Sequence, residues 1–143
     1  MPRIGHIAIR SRDCRKAADF FKAAFGFEEI GTPRPRAPGA PPPPAVGLTD
    51  GRINLTFLTV PASNVGCEED FFGIQHIGFV IDDLDAYTAK LESMGAPCII
   101  GWEKLPPGAH LEIKFKGPDG VIFDISNNPW PGTPGHGAAN DPK

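Results

Sequence analysis

Two histidines of this chain, His6 and His76, each precede an amide or acid side chain by the same interval: 48 residues from 6 to Asn54, and 48 from 76 to Asp124. Imidazole nitrogens and a carboxylate are donors that suit a non-haem Fe(II), Mn, Ni or Zn ion. Two imidazoles with one carboxylate leave coordination positions open for a substrate. A lone histidine on a strand is usually a hydrogen-bonded core or surface residue. The coincidence of four positions is what points to one divalent metal on His6, His76 and Asp124. Asn54 offers only a neutral carbonyl oxygen, a weak ligand or a partner for metal-bound water.

An internal repeat places these residues. Ile4-Gly5-His6-Ile7-Ala8-Ile9 returns as Ile74-Gln75-His76-Ile77-Gly78-Phe79, and Asp13 falls on Asp83. Each aspartate can cap a helix by accepting from its unpaired N–H groups. The apolar spacing predicts helices over 13–25 and 83–94, closed by Gly26 and Gly95. Three strand candidates follow each helix: 27–31, 45–49 and 52–60, then 97–101, 110–115 and 121–126. Both halves therefore read strand, helix, strand, strand, strand.

The fold class this implies is α+β. Paired βαβββ modules, 3–60 and 73–126, form one eight-stranded cupped sheet with the helices outside. The domain spans 1–128, and 129–143 reads as a flexible tail rich in proline and glycine. Alternation along the strands puts His6, Ala8 and Arg10 on one face, with Ile7 and Ile9 on the other. It likewise separates Asn54 and Thr56 from Leu55 and Phe57, His76 from Ile77, and Asp124 from Phe123 and Ile125.

Composition narrows the class. The chain has 143 residues, 41% hydrophobic and 22% charged, with a net charge of −3, which describes an ordinary globular domain. Its basic residues are scattered, against a nucleic-acid partner. No apolar run is long enough to span a bilayer, and the first residues lack the apolar core of a signal peptide. Cys14, Cys67 and Cys98 make neither a disulfide framework nor a zinc knuckle. A cytoplasmic protein with no membrane partner is the expectation. The prolines clustered in 33–44 read as a stiff loop.

The segments Gly5-His6-Ile7-Ala8, Asp50-Gly51 before Ile53-Asn54-Leu55, His76-Ile77-Gly78-Phe79-Val80 and Gly117-Pro118-Asp119-Gly120 before Ile122-Phe123-Asp124-Ile125 resemble the vicinal oxygen chelate superfamily. That superfamily includes glyoxalase I, extradiol dioxygenases, methylmalonyl-CoA epimerase and bleomycin-binding proteins. The resemblance covers residues 3 to about 126 and implies metal ligation around His6, Asn54, His76 and Asp124. It also implies a substrate that chelates the metal through two neighbouring oxygens, and a homodimer. The chain departs from it twice. Glyoxalase-like members usually carry a carboxylate where Asn54 stands, and the final ligand is usually Glu, one methylene longer than Asp124.

Any acid or base must come from the same face of the sheet. On the seventh strand, alternation leaves His110, Glu112 and Lys114 there. Glu112 or His110 is the candidate base, with Asn54, Lys114 and Arg10 as substrate contacts. A His-x-Glu-x-Lys alternation is more often a solvated strand face. Three readings stay open: a metal-dependent lyase or isomerase, an Fe(II) ring-cleaving dioxygenase using His110, and a metal-free drug- or metabolite-binding module.

Overall fold

The computed structural model describes residues 1–31, 39, 43–61, 63, 66, 71–101 and 112–136. The elements run β1 (Arg3–Arg10), α1 (Cys14–Phe25), β2 (Glu28–Glu29), β3 (Ala45–Thr49), β4 (Asn54–Leu58), β5 (Gly73–Val80), α2 (Leu84–Ser93), β6 (Cys98–Ile100), β7 (Ile113–Lys116) and β8 (Ile122–Ser126). The eight strands form one sheet in the order β2-β3-β4-β1-β5-β8-β7-β6. This is the expected α+β architecture. The modules meet where β1 and β5 pair antiparallel, and each module's last strand lies parallel to its first.

The helices begin and end where the side chains dictate. Asp13 accepts from the Lys16 amide at 3.1 Å, and Asp83 from the Ala86 amide at 3.0 Å. α1 stops at Gly26, whose φ of 73° lies in the left-handed region that glycine enters without a Cβ clash. Each helix then covers its own half of one sheet face. Cys14 and Ala18 of α1 pack with Val46, Leu48, Leu55 and Phe57. Leu84 of α2 packs with Ile113, Phe115 and Ile125, joined by Tyr87 and Leu91. The opposite face carries His6, His76, Asn54, Lys114 and Asp124, all buried.

The repeat is not perfect in register. His6 pairs with Asn54 between β1 and β4, whereas Asp124 pairs with Gly78, not His76, between β5 and β8. A shift of two residues keeps every side chain on its face, so the ligand face survives while Asp124 moves along its strand.

An ion-pair cluster ties α1 to the sheet edge. Glu29 on β2 accepts from both terminal nitrogens of Arg15, at 2.8 and 3.1 Å, and from Lys22 at 3.0 Å. The Arg15 hydrogen bonds outweigh burial and hold the Glu29 carboxyl below its ordinary value of 4.5. Because the folded value is the lower one, the cluster stabilises the fold above about pH 4.5, and that contribution fades as pH falls through the lowered value. Glu29→Gln should therefore cost about 1 kcal/mol at pH 7, given that Lys22 is partly solvated. Urea titrations should show this gap closing in acid, and an equal gap at pH 7 and pH 2 would assign the loss to packing instead.

The expected flexible tail is corrected over 129–136. Trp130 is 3% exposed and Thr133 6%. The segment crosses back over the first module, where Pro131 O accepts from Asn54 Nδ2 at 3.0 Å and Gly132 O from Thr49 Oγ1 at 2.6 Å. Arg3 donates to Pro134 O. Proline removes backbone donors but leaves every carbonyl free to accept, and this segment is anchored through its carbonyls. Residues 137–143 lie outside the described residues, as do those of the 33–44 loop except 39, 43 and 44.

Candidate metal centre

Strand alternation brings three of the expected side chains together around His76. His6 and His76 meet Nε2 to Nε2 at 3.3 Å, and Asp124 Oδ2 lies 3.3 Å from His76 Nε2. Ligand atoms that share one ion at roughly 2.1 Å stand about 3.0–3.4 Å apart, which His76 matches with either neighbour. Among the described residues, the group whose ligand atoms all lie within 4.8 Å of one another is His76, Glu112 and Asp124, and His6 joins it through His76. Asp124 is fully buried, and its Oδ1 has no hydrogen-bond partner among the described residues.

The tautomers are fixed from behind. Asn54 donates its amide to Pro131 O, so its Oδ1 faces His6 Nδ1 at 3.1 Å and must accept there. Gln75 donates its amide to Val60 O at 3.3 Å, which turns its Oε1 toward His76 Nδ1 at 3.2 Å. Each imidazole thus carries its proton on Nδ1 when neutral, and each Nε2 aims a lone pair at the centre. Burial first, then the Lys114 charge, pushes His76 down to about 3, so it is neutral at ordinary pH. Two lone pairs and a carboxylate facing inward call for a cation, and amides that orient the ligands from behind are a recurrent part of metal sites.

A cation of the chain's own is already close. Lys114 sits opposite Asp124 in the β7–β8 ladder. Its ammonium donates to Asp124 Oδ2 at 2.6 Å and to Glu112 Oε2 at 2.9 Å, and it lies 3.4 Å from His76 Nε2. Burial favours a neutral lysine, but the charges of Asp124 and Glu112 win and raise it. Burial would likewise raise Glu112, yet the Lys114 charge and hydrogen bond, helped by the Trp130 N–H, bring it down to about 2. For Asp124 burial dominates and lifts it to about 8, against the pull of the same lysine. One ammonium serves two carboxylates, and of the two Glu112 keeps its charge the more firmly.

Trp130 roofs the centre. Its indole stacks on the His6 ring, with centroids 5.2 Å apart and planes at 7°, and its Nε1–H donates to Glu112 Oε1 at 2.8 Å. The indole fits because Gly5 and Gly78 lack side chains. A Cβ on Gly78 would stand 2.8 Å from the ring and 2.6 Å from Asp124 Oδ1, and one on Gly5 would stand 2.9 Å from the ring. A cavity of about 330 Å³ bounded by Phe71, Gln75, His76 and the turn at Asp119–Ile122 leads to the His76 side.

The structure therefore gathers His6, His76, Asp124, Asn54, Glu112 and Lys114. Arg10 goes elsewhere: it donates to Phe71 O at 3.1 Å and stacks on the Phe72 ring. His110 lies outside the described residues. Sequence reasoning missed Gln75 and placed Trp130 in a flexible tail. Gln75 is the immediate neighbour of His76, but alternation assigns it to the other face. Only the side chain's length brings its amide back to the ring.

Comparison with known proteins agrees with this architecture. The family model described as Glyoxalase/Bleomycin resistance protein/Dioxygenase superfamily matches residues 3–125. No curated protein is matched by the sequence. Among solved structures, a methylmalonyl-CoA epimerase in complex with methylmalonyl-CoA and NH4+ is similar at 22% identity and a TM-score of 0.58, covering 87% of this chain and 93% of that one. A Streptomyces coelicolor methylmalonyl-CoA epimerase variant is similar at 22% identity and a TM-score of 0.57, covering 86% and 92%. A hypothetical protein from Bacillus halodurans follows at 16% identity and a TM-score of 0.60, covering 87% and 92%. At these identities the likeness is one of fold.

Proposed function

The chain belongs to the Glyoxalase/Bleomycin resistance protein/Dioxygenase superfamily, and from that premise we propose that it is a divalent-metal-dependent enzyme of lyase or isomerase type, acting on a small, oxygen-rich, chelating substrate. The observation that carries this reading is that His76 Nε2 stands 3.3 Å from both His6 Nε2 and the buried Asp124 Oδ2, with both imidazole tautomers fixed by amides. The epimerases of like fold support the isomerase side of it.

His6, His76 and Asp124 would hold the ion, which supplies a Lewis acid to two neighbouring substrate oxygens. Asn54 orients His6 and cannot cycle a proton itself, since a carboxamide does not titrate near neutral pH. Glu112 is the ionised carboxylate within reach of the centre and the candidate to take a substrate proton. Lys114 is placed to meet anionic substrate oxygen. Trp130 keeps bulk water off the His6 side, which strengthens each of these interactions.

Protein purified anaerobically and saturated with Mn²⁺, Co²⁺ or Zn²⁺ should hold about one ion per chain by elemental analysis after desalting. His76→Ala should retain almost none. A His76→Ala protein with unchanged metal content would end the reading.

A further inference from the structure

The described residues hold one group of side chains that could together bind a metal: His76, Glu112 and Asp124, with one ligand atom from each lying within 4.8 Å of the others. Lys114 Nζ contacts all three, at 3.4, 2.9 and 2.6 Å. The lysine is therefore planted inside the very cluster that would attract an ion. Its position is set by the fold, because the β7–β8 register puts Lys114 directly across from Asp124 and buries both.

A divalent ion and an ammonium cannot both lean on Asp124 Oδ2. Two like charges held on one buried oxygen would repel strongly, and burial leaves little water to screen them. The charges say the same. Two carboxylates face one lysine, so the cluster attracts further positive charge, but only once the ammonium has left the shared oxygen. The Lys114 side chain is long and unbranched, and rotation about its stem can carry Nζ from Asp124 toward Glu112 without moving the strand.

We infer that Lys114 is the resident cation of this centre, and that a divalent metal enters by displacing its ammonium from Asp124 and His76. The inference rests on the proposed metal-binding reading and adds a gate to it. The lysine holds the donors together without metal and lowers metal affinity. Once displaced, it stands beside the ion as the group that meets an anionic substrate oxygen.

Titration calorimetry with Mn²⁺ and Zn²⁺ tests this on the full chain, for wild type, Lys114→Met, Lys114→Gln and Lys114→Arg, with thermal melts to show that each variant folds. Lys114→Met and Lys114→Gln should bind one ion roughly 100-fold more tightly than wild type. They should also gain more melting temperature on metal addition. Lys114→Arg, which keeps the charge, should stay near wild type, and adding His76→Ala should erase the gain. Equal affinity in wild type and both neutral variants overturns the gate while leaving the metal site intact. Failure of every protein to bind overturns the gate and the metal reading together. Two neutral substitutions are included so that poor folding of one does not decide the matter.

Discussion

Trp130→Ala should cost about 3–5 kcal/mol of folding stability, the range for removing a buried aromatic side chain. The indole is 3% exposed, stacks on His6 and fills the space left by Gly5 and Gly78. The two glycines have no side chains with which to refill that space. Trp130→Phe keeps much of the stack but deprives Glu112 Oε1 of its donor, so a loss of about 1–3 kcal/mol is expected. Urea denaturation of the three proteins measures this. A loss below about 0.5 kcal/mol for the alanine variant, the level of an ordinary surface change, would show that residues 129–136 do not pack on the sheet. Both variants should also admit water to His6, which a rise in imidazole hydrogen–deuterium exchange would register.

Asp124→Ala should be the most damaging change at the centre. It leaves the buried Lys114 ammonium with Glu112 as its one carboxylate partner among the described residues and removes the carboxylate ligand at the same stroke. Truncating one partner of a buried ion pair costs about 3–5 kcal/mol, because the other charge stays behind. Metal binding should disappear in the same variant. Combining Asp124→Leu with Lys114→Met removes both charges. The pair should then cost well under the sum of the two single changes, the signature of direct coupling. Additive losses would show that Lys114 and Asp124 do not depend on each other, contrary to their 2.6 Å contact.

The sequence makes the scaffold readable because its signals are local. Asp13 and Asp83 begin helices, Gly26 ends one, and the six residues from Ile4 recur from Ile74. Faces follow from alternation, which is why His6, Asn54, His76 and Asp124 could be grouped without coordinates. The role of Lys114 was hidden because Glu112 and Lys114 alternate as a solvated strand would. Only the pairing of β7 with β8 turns that alternation inward against Asp124. The segment around Trp130 was hidden for another reason. Its composition is that of a linker, and what fixes it is a side-chain donor on a strand 77 residues earlier, from which its own carbonyl accepts. The two-residue shift at Asp124 follows from long-range pairing and leaves no mark in the spacing of 48.

The sheet's outer strands are unequal to its inner ones. β2 has two residues and β6 three, while the central β1 and β5 have eight each. A long bare border is a template on which other chains can polymerise by strand addition. Among the described residues, border strands this short offer a template few amides and carbonyls, and Arg15 and Lys22 crowd Glu29 with charge at one of them. Growth of the ladder from copy to copy finds little to hold at either end. Strand addition is thereby the poorer route by which copies of such a sheet could join, and side-chain surfaces the better one.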